Sequence, residues 1–221
     1  MAQSNDVFCL AHFCEIHGPT TILCCQKLDS PLENSSSLLS TCDSCALQLP
    51  ESATRLVTTS ELNHTNDKYV STHYPVSERI YTSLKKLVMK CLSVEAVADP
   101  LKVLFFGDAT YGFCLSKVFS IKDINARGGE RKYAMLMVSD SESHLIRSWD
   151  TVSTYFNEMI GLIQRQVEER MEETAKNNAS DNERYLRRSK NIAKSLVVLT
   201  NDAQIFVKVH LWAIELLKDM L

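Results

Sequence analysis

The sequence predicts a mixed α/β (α+β) protein with one five-stranded antiparallel sheet sandwiched by helices, followed by a C-terminal helical extension. Three observations predict this class. Apolar runs of strand length fall into two groups separated by one amphipathic helix. After the last of these runs only helical periodicity remains. Hydrophobic residues make up 45% of the 221 residues and charged residues 23%, a composition that can bury a core.

The first two strands are predicted as a hairpin near the N-terminus. Residues 7–13 are apolar, His17-Gly18-Pro19 is a turn signal, and residues 20–25 supply the partner strand. The composition changes over residues 28–67, which are rich in serine and threonine and contain isolated leucines without a sustained period. This pattern predicts a long flexible insertion with partial order at best.

A helix is predicted over residues 75–92. Proline fits the first helical position, because the N–H that it lacks would have no partner there. The apolar stripe of this helix repeats at helical spacing and consists of Val76, Ile80, Leu84, Leu87, Val88 and Cys91.

Three further strands are predicted at residues 102–106, 112–121 and 132–138. The last two flank the polar segment 122–131, which contains two adjacent glycines and is typical of a hairpin tip.

The remainder of the chain is predicted to be helical. An apolar stripe from Trp149 to Val167 marks one helix, and another from Ile205 to Met220 marks a second. We therefore predict one domain over residues 1–175, followed by a linker and helical extension over 176–221. One helix between two strand groups and one after the last strand can cover both faces of an antiparallel sheet, which is the longin or profilin-like arrangement.

Composition also excludes several classes of function. The formal net charge of −3 gives no broad basic surface for nucleic acid. The sequence shows no secretory signal, no apolar run long enough to cross a bilayer and no lipidation motif. We therefore expect a cytoplasmic protein that reaches a membrane only through partners. The eight cysteines are accordingly expected to be reduced.

No familiar enzyme signature occurs in the sequence: a phosphate-binding loop, a dinucleotide fingerprint, a nucleophile elbow and a metalloprotease helix are all missing. We therefore expect neither enzymatic activity nor a cofactor.

Two short motifs could bind a metal. Cys42 and Cys45 form a C-x-x-C pair suited to zinc, but zinc needs four ligands, and the candidates considered for the others are His64 and His73. The alternative is a reduced pair that packs the insertion onto the domain. The stretch from His12 through Cys14 to His17 is interpreted as a hairpin whose cysteine packs in the core. We therefore predict no metal site and keep Cys42 and Cys45 as the zinc candidates.

Arg127 lies at the predicted hairpin tip between Ala126 and Gly128-Gly129. An arginine there is expected to be exposed and able to reach into the site of a partner. The alternative is an arginine that is only solvated.

Several short motifs occur one after another along most of the chain. The opening L-A-H-F-C-E-I-H-G-P is the first of these motifs. The others are Cys42-Asp-Ser-Cys45, Tyr69-Val-Ser-Thr-His-Tyr-Pro75, Phe105-Phe-Gly-Asp108, Ile121-Lys-Asp-Ile-Asn-Ala-Arg-Gly128, Arg131-Lys-Tyr133, Ser148-Trp149 and Ser195-Leu-Val-Val-Leu-Thr200. The same motifs occur in this order in the folliculin family, and the chain resembles its fungal members.

The resemblance implies a longin domain that pairs with a folliculin-interacting-protein-like subunit. It implies that the heterodimer is a GTPase-activating protein for a Rag-type GTPase, linking amino-acid supply to TOR complex 1 at the vacuole or lysosome. The catalytic arginine of the family falls on Arg127. Vertebrate members continue into a DENN domain, for which this sequence has no room.

Longin domains commonly pair through sheet edges and the first helix, so Ile80, Leu84 and Leu87 are the candidate partner-binding residues. The alternative function is a non-catalytic longin adaptor or scaffold in vesicle trafficking.

Overall fold

The computed structural model describes residues 5–28, 41–62, 65–93, 102–177 and 193–220. The strands are β1 (Val7–Cys14), β2 (Gly18–Leu28), β3 (Leu56–Leu62), β4 (Thr65–Thr72), β5 (Leu104–Asp108), β6 (Gly112–Lys122) and β7 (Glu130–Ser139). The helices are α1 (Glu78–Leu92), α2 (Glu142–Arg147), α3 (Trp149–Asn177), α4 (Leu196–Thr200) and α5 (Ile205–Asp219).

The described strands form one antiparallel sheet in the order β3-β4-β2-β1-β7-β6-β5. The predicted fold class is confirmed, but the sheet has seven strands where five were predicted. The two additional strands, β3 and β4, form a hairpin that pairs with the edge of β2.

The additional hairpin explains why the sequence pattern was misleading. β3 lies within residues 28–67, where partial order at best was predicted, but Leu56 is buried and Val57 is exposed. This strand lies at the edge of the sheet, so it contributes few large apolar side chains to the core. Residues 29–40 and 63–64 of the same segment lie outside the described residues.

The central strand β1 contributes to both layers of the core because successive side chains point to opposite faces. Phe8 and Leu10 belong to a large apolar cluster on one face, and Cys9 and Ala11 belong to a second cluster on the other face. All four side chains are fully buried. Both faces of the sheet are therefore covered, as the element order predicted.

Helix α1 covers the face that carries small side chains. Its buried residues Leu84, Leu87 and Val88 belong to the same apolar cluster as Cys9, Ala11, Cys24, Cys114 and Ala134 of the sheet. Small side chains allow a helix to approach a sheet closely. Burial raises the pKa of Cys91 on α1 to about 11, so this thiol is neutral and packs as a small hydrophobe.

The start of α1 differs from the prediction. The helix begins at Glu78 after Ser77, three residues beyond the predicted first position at Pro75. The segment before the helix is held against the sheet, because the backbone N–H of Val76 donates to Gln26 Oε1 at 3.2 Å. This contact fixes the chain direction that α1 then follows.

The opposite face is covered by α3 and α5. Phe8 of the sheet makes edge-to-face contacts with Phe156 of α3 and Trp212 of α5, at ring-centroid distances of 6.3 and 5.1 Å. Asn201, in the left-handed conformation, ends α4, and Asp202 Oδ1 accepts the N–H of Gln204 just before α5. In the described part of the chain, no helix combines the length and apolar character required to cross a bilayer.

Candidate functional site

The connection between β6 and β7, residues 123–129, forms a compact tip closed by its own backbone. The N–H of Asp123 donates to the carbonyl of Gly129 at 2.9 Å, and the N–H of Ala126 donates to the carbonyl of Asp123 at 2.9 Å. Gly128 and Gly129 both have positive φ, at 79° and 77°. A Cβ at either glycine would meet open space but would strain the backbone, so glycine is required here for conformation.

Asp123 anchors the tip from inside. Its carboxylate is buried and accepts hydrogen bonds from Arg131 Nε at 2.7 Å and from Lys194 Nζ at 3.0 Å. Burial raises the pKa of Asp123, but the hydrogen bonds from Arg131, from the backbone of Asn125 and from Lys194 outweigh it, so the pKa lies below its ordinary value. The tip is therefore built on an ionised, paired carboxylate.

Arg127 projects from this tip. The residue is exposed, and within the described part of the chain no hydrogen bond or ion pair to its guanidinium is found. Its backbone is fixed, because its N–H donates to Glu15 Oε1 in the turn between β1 and β2 at 2.8 Å. The structure therefore combines a held backbone with an exposed arginine side chain.

Exposed apolar side chains flank Arg127. Ile124 of the tip is 77% exposed, and Phe13 and Ile16 beside Glu15 are 45% and 67% exposed. The hydrogen bond between Glu15 and Arg127 joins the turn after β1, which carries Ile16, to the tip, which carries Ile124. A partner that docks on the tip would therefore meet apolar as well as charged side chains.

A second group of reactive side chains lies under the same turn. The ligand atoms of Cys14, His17, Cys42 and Cys45 all lie within 4.8 Å of one another. Cys14 Sγ is 3.6 Å from Cys42 Sγ and 3.7 Å from His17 Nδ1. Cys45 Sγ is 3.6 Å from Cys42 Sγ and 3.4 Å from His17 Nδ1. This group is called the Cys₃His cluster below.

The cluster brings together the stretch from Cys14 to His17 and the C-x-x-C pair of Cys42 and Cys45. Cys14 is buried as expected, but both motif residues contact the C-x-x-C pair. Cys14 contacts Cys42, and His17 contacts Cys45. Of the two histidines considered as further ligands, His64 lies outside the described residues. The other, His73, is engaged elsewhere, with its Nδ1 3.0 Å from the carbonyl oxygen of Ile22.

His12 lies behind the cluster. Its Nε2 is 3.3 Å from Cys45 Sγ, and its ring packs against Tyr133 at a centroid distance of 5.6 Å. Burial, assisted by the nearby charge of Arg131, lowers the pKa of His12 to about 3. The imidazole is therefore neutral at physiological pH and has one N–H to donate.

The three candidate partner-binding residues of α1 face the sheet. Leu84 and Leu87 are buried in the apolar cluster beneath the helix, and Ile80 is half-buried against it. Leu84 and Leu87 therefore stabilise this chain, and a partner on α1 would contact its exposed side chains instead. Met89, which is 52% exposed, is one of these.

Comparisons with known proteins identify relatives over most of the chain. A model of the Folliculin family, described as a vesicle coat protein involved in Golgi to plasma membrane transport, matches residues 67–220. The chain is 32% identical over 235 residues to Protein LST7 of Saccharomyces cerevisiae, covering 95% of this chain and 94% of that protein. It is 26% identical over 254 residues to Folliculin of Homo sapiens, covering 93% of this chain and 44% of that protein.

The family match covers more than half of the chain, and the yeast relative is matched along nearly its whole length. The chain belongs to the folliculin family.

Proposed function

We propose that this chain is a subunit of a GTPase-activating complex for a Rag-type GTPase, to which it supplies Arg127 as the arginine finger. It acts as a heterodimer with a folliculin-interacting-protein-like subunit and links amino-acid supply to TOR complex 1. The observation that carries this proposal is the exposed Arg127 on a tip whose backbone is held by Glu15.

The chemistry requires an arginine that enters from outside. During transfer of the γ-phosphoryl group, negative charge is spread over the phosphate oxygens in the transition state. A guanidinium is always charged and presents a planar fork of donors to those oxygens. Fixing the Arg127 backbone beforehand reduces the entropy lost when the finger inserts.

Arg131 is the other arginine close to the tip, and its surroundings favour a structural role. Its side chain is only 7% exposed and donates from Nε to Asp123 at 2.7 Å. Withdrawing it would leave the Asp123 carboxylate without its shortest contact. Arg127 needs no such rearrangement to reach a bound nucleotide.

The edges of the sheet support a heterodimer. β3 and β5 are the outermost strands, and each offers one backbone edge that pairs with no other strand among the described residues. Such edges readily accept a strand from another chain. We therefore propose that pairing with the second subunit assembles the active complex and brings it to the vacuolar or lysosomal membrane.

The proposal is tested by single-turnover GTP hydrolysis on each Rag-type GTPase. The isolated chain, the isolated second subunit and the reconstituted heterodimer are compared at equal concentration. We expect strong stimulation by the heterodimer and little by either subunit alone. If the heterodimer binds the GTPase without accelerating hydrolysis, the proposed activity is refuted.

The apolar residues around Arg127 give a prediction about docking. Ile124→Asp places a charge where a GTPase surface would cover the tip, so we expect the affinity of the complex for the GTPase to fall at least about tenfold. Binding is measured with GTPase held in a transition-state analogue, and heterodimer assembly is checked by gel filtration.

Ile146→Asp is the matched control for this prediction. Ile146 is also exposed, at 52%, but lies on α2 beyond the far end of β7, about 30 Å along the strand from the tip. Equal affinities of the Ile124→Asp and Ile146→Asp complexes would show that the tip is not the docking surface.

The description of the matching family favours a second function, a non-catalytic adaptor in vesicle trafficking. In this case the exposed edges and the tip would serve only binding. The hydrolysis assay separates the two functions, because an adaptor leaves the rate of hydrolysis unchanged while it still assembles with its partners.

A further inference from the structure

We propose that Cys14, His17, Cys42 and Cys45 bind one zinc ion, and that this ion fixes the turn between β1 and β2 against which the Arg127 tip rests. The zinc site is independent of the proposed function. Its consequence for catalysis rests on that function, so the experiments below measure the metal and the tip directly.

The distances within the Cys₃His cluster match a tetrahedral site. Zinc bonds to sulfur at about 2.3 Å and to nitrogen at about 2.0–2.1 Å, which gives tetrahedral edges of about 3.8 Å between two sulfurs and about 3.6 Å between sulfur and nitrogen. Cys42 Sγ lies 3.6 Å from both Cys14 Sγ and Cys45 Sγ, His17 Nδ1 lies 3.7 and 3.4 Å from Cys14 and Cys45, and all four ligand atoms lie within 4.8 Å of one another. One ion at the centre can therefore contact all four ligands.

A disulfide does not account for this geometry. A disulfide requires two sulfurs about 2.05 Å apart, whereas Cys42 is equally distant from Cys14 and from Cys45, at 3.6 Å. Three thiolates and one neutral imidazole, arranged tetrahedrally, form a common structural zinc set.

Backbone hydrogen bonds within the two short turns hold the ligands in place. The N–H of Ile16 donates to Cys14 Sγ at 3.4 Å, within the C-x-x-H turn. In the C-x-x-C turn, the N–H groups of Cys45 and Ala46 donate to the carbonyl of Cys42 at 2.9 and 3.1 Å. The Nε2 of His12 lies 3.3 Å from Cys45 Sγ. A ring N–H there can donate to a zinc-bound sulfur, the kind of outer contact that orients metal ligands.

The completeness of the ligand set indicates a structural site. Four protein ligands fill a tetrahedral zinc, whereas a catalytic zinc keeps a position open for water. Cys14 and Cys45 are 3% and 0% exposed, so the side of the ion that faces the sheet is closed.

The ion would join parts of the chain that are distant in sequence. Cys42 and Cys45 precede β3 and lie outside every strand of the sheet, whereas Cys14 ends β1. Glu15 lies between the first two ligands, and its carboxylate accepts the N–H of Arg127. Zinc would therefore hold the carboxylate that in turn holds the tip.

Metal analysis of the purified full-length chain tests the binding. The reduced protein is equilibrated with zinc and desalted, and we expect about one zinc per chain. Replacement of zinc by Co²⁺ is expected to give thiolate-to-cobalt charge-transfer absorption and the visible bands of tetrahedral cobalt. A wild-type chain that retains no stoichiometric zinc, or that holds iron or copper instead, would overturn the proposal.

Two pairs of variants locate the site. Cys42→Ala changes the most accessible of the three cysteines, and His17→Ala changes an exposed ligand, so both variants should fold. Both are expected to lose zinc and the cobalt bands. Cys91→Ala and His73→Ala, outside the cluster, should keep both signals. Full zinc content in Cys42→Ala would place the metal elsewhere.

Amide hydrogen exchange tests the link to the tip. Removing zinc with a chelator is expected to speed exchange of the Arg127 N–H. Glu15→Ala should speed the same exchange while the zinc content stays at its wild-type value. If the Arg127 amide exchanges at the same rate with and without zinc, the metal does not stabilise the tip.

Discussion

Replacing Arg127 with alanine is expected to lower the stimulated rate of GTP hydrolysis by about 10³–10⁵-fold, the contribution typical of an arginine finger. The loss should appear in the chemical step and not in binding, because the guanidinium acts on charge that develops only in the transition state. Arg127→Lys should restore little of the rate, since a lysine lacks the planar fork of donors. Single-turnover hydrolysis with the reconstituted heterodimer measures both variants.

Folding and assembly should survive the Arg127 substitutions. The side chain is exposed, and the contact to Glu15 uses the backbone N–H, which alanine retains. Arg147→Ala is the matched control, because Arg147 is also exposed but lies on α2 at the other end of β7. If Arg127→Ala keeps near-complete stimulation in an intact heterodimer, the finger lies on another residue, and the adaptor function gains support.

The tip could be predicted from the sequence because its signals are local. Two glycines, a polar segment and flanking strands of alternating pattern indicate a hairpin end whatever the rest of the chain does. The apolar stripe of α1 was equally clear, but which of its residues remain free for a partner depends on the layer beneath it. Leu84 and Leu87 are buried because the sheet presents small side chains to them.

The additional hairpin and the Cys₃His cluster could not be predicted with the same ease because both depend on contacts between distant segments. β3 is mostly polar, and its strand structure comes from pairing with β4. One sequence signal for the cluster was available: Cys14-Glu-Ile-His17 has the same spacing as Cys42-Asp-Ser-Cys45. The first of these motifs ends in a histidine in place of a second cysteine, so it does not match as a C-x-x-C pair.

The second large effect is expected at Asp123. Asp123→Ala removes the carboxylate that accepts hydrogen bonds from Arg131 and Lys194, and so breaks both of these ion pairs. Breaking a buried ion pair from one side typically costs about 3–5 kcal/mol, so we expect the free energy of unfolding to fall by about that amount. Chemical denaturation of the full chain measures the difference. Glu173→Ala, an exposed carboxylate on α3, should change it by no more than about 0.5 kcal/mol.

The pH dependence of this difference shows whether charge is responsible. The pKa of Asp123 is depressed in the folded chain by its hydrogen bonds, whereas in the unfolded chain it is about 3.9. Its stabilising contribution is therefore complete above about pH 4 and is lost as the pH falls through the lower folded-state value.

Asp123→Asn keeps the shape of the side chain without its charge. Other carboxylates titrate in the same range, so the quantity to follow is the unfolding free energy of the wild type minus that of Asp123→Asn. We expect this difference to shrink as the pH falls below about 4. A difference that stays constant from neutral pH to acid would mean that Asp123 stabilises the tip by packing and neutral hydrogen bonds, and not by the ion pairs with Arg131 and Lys194.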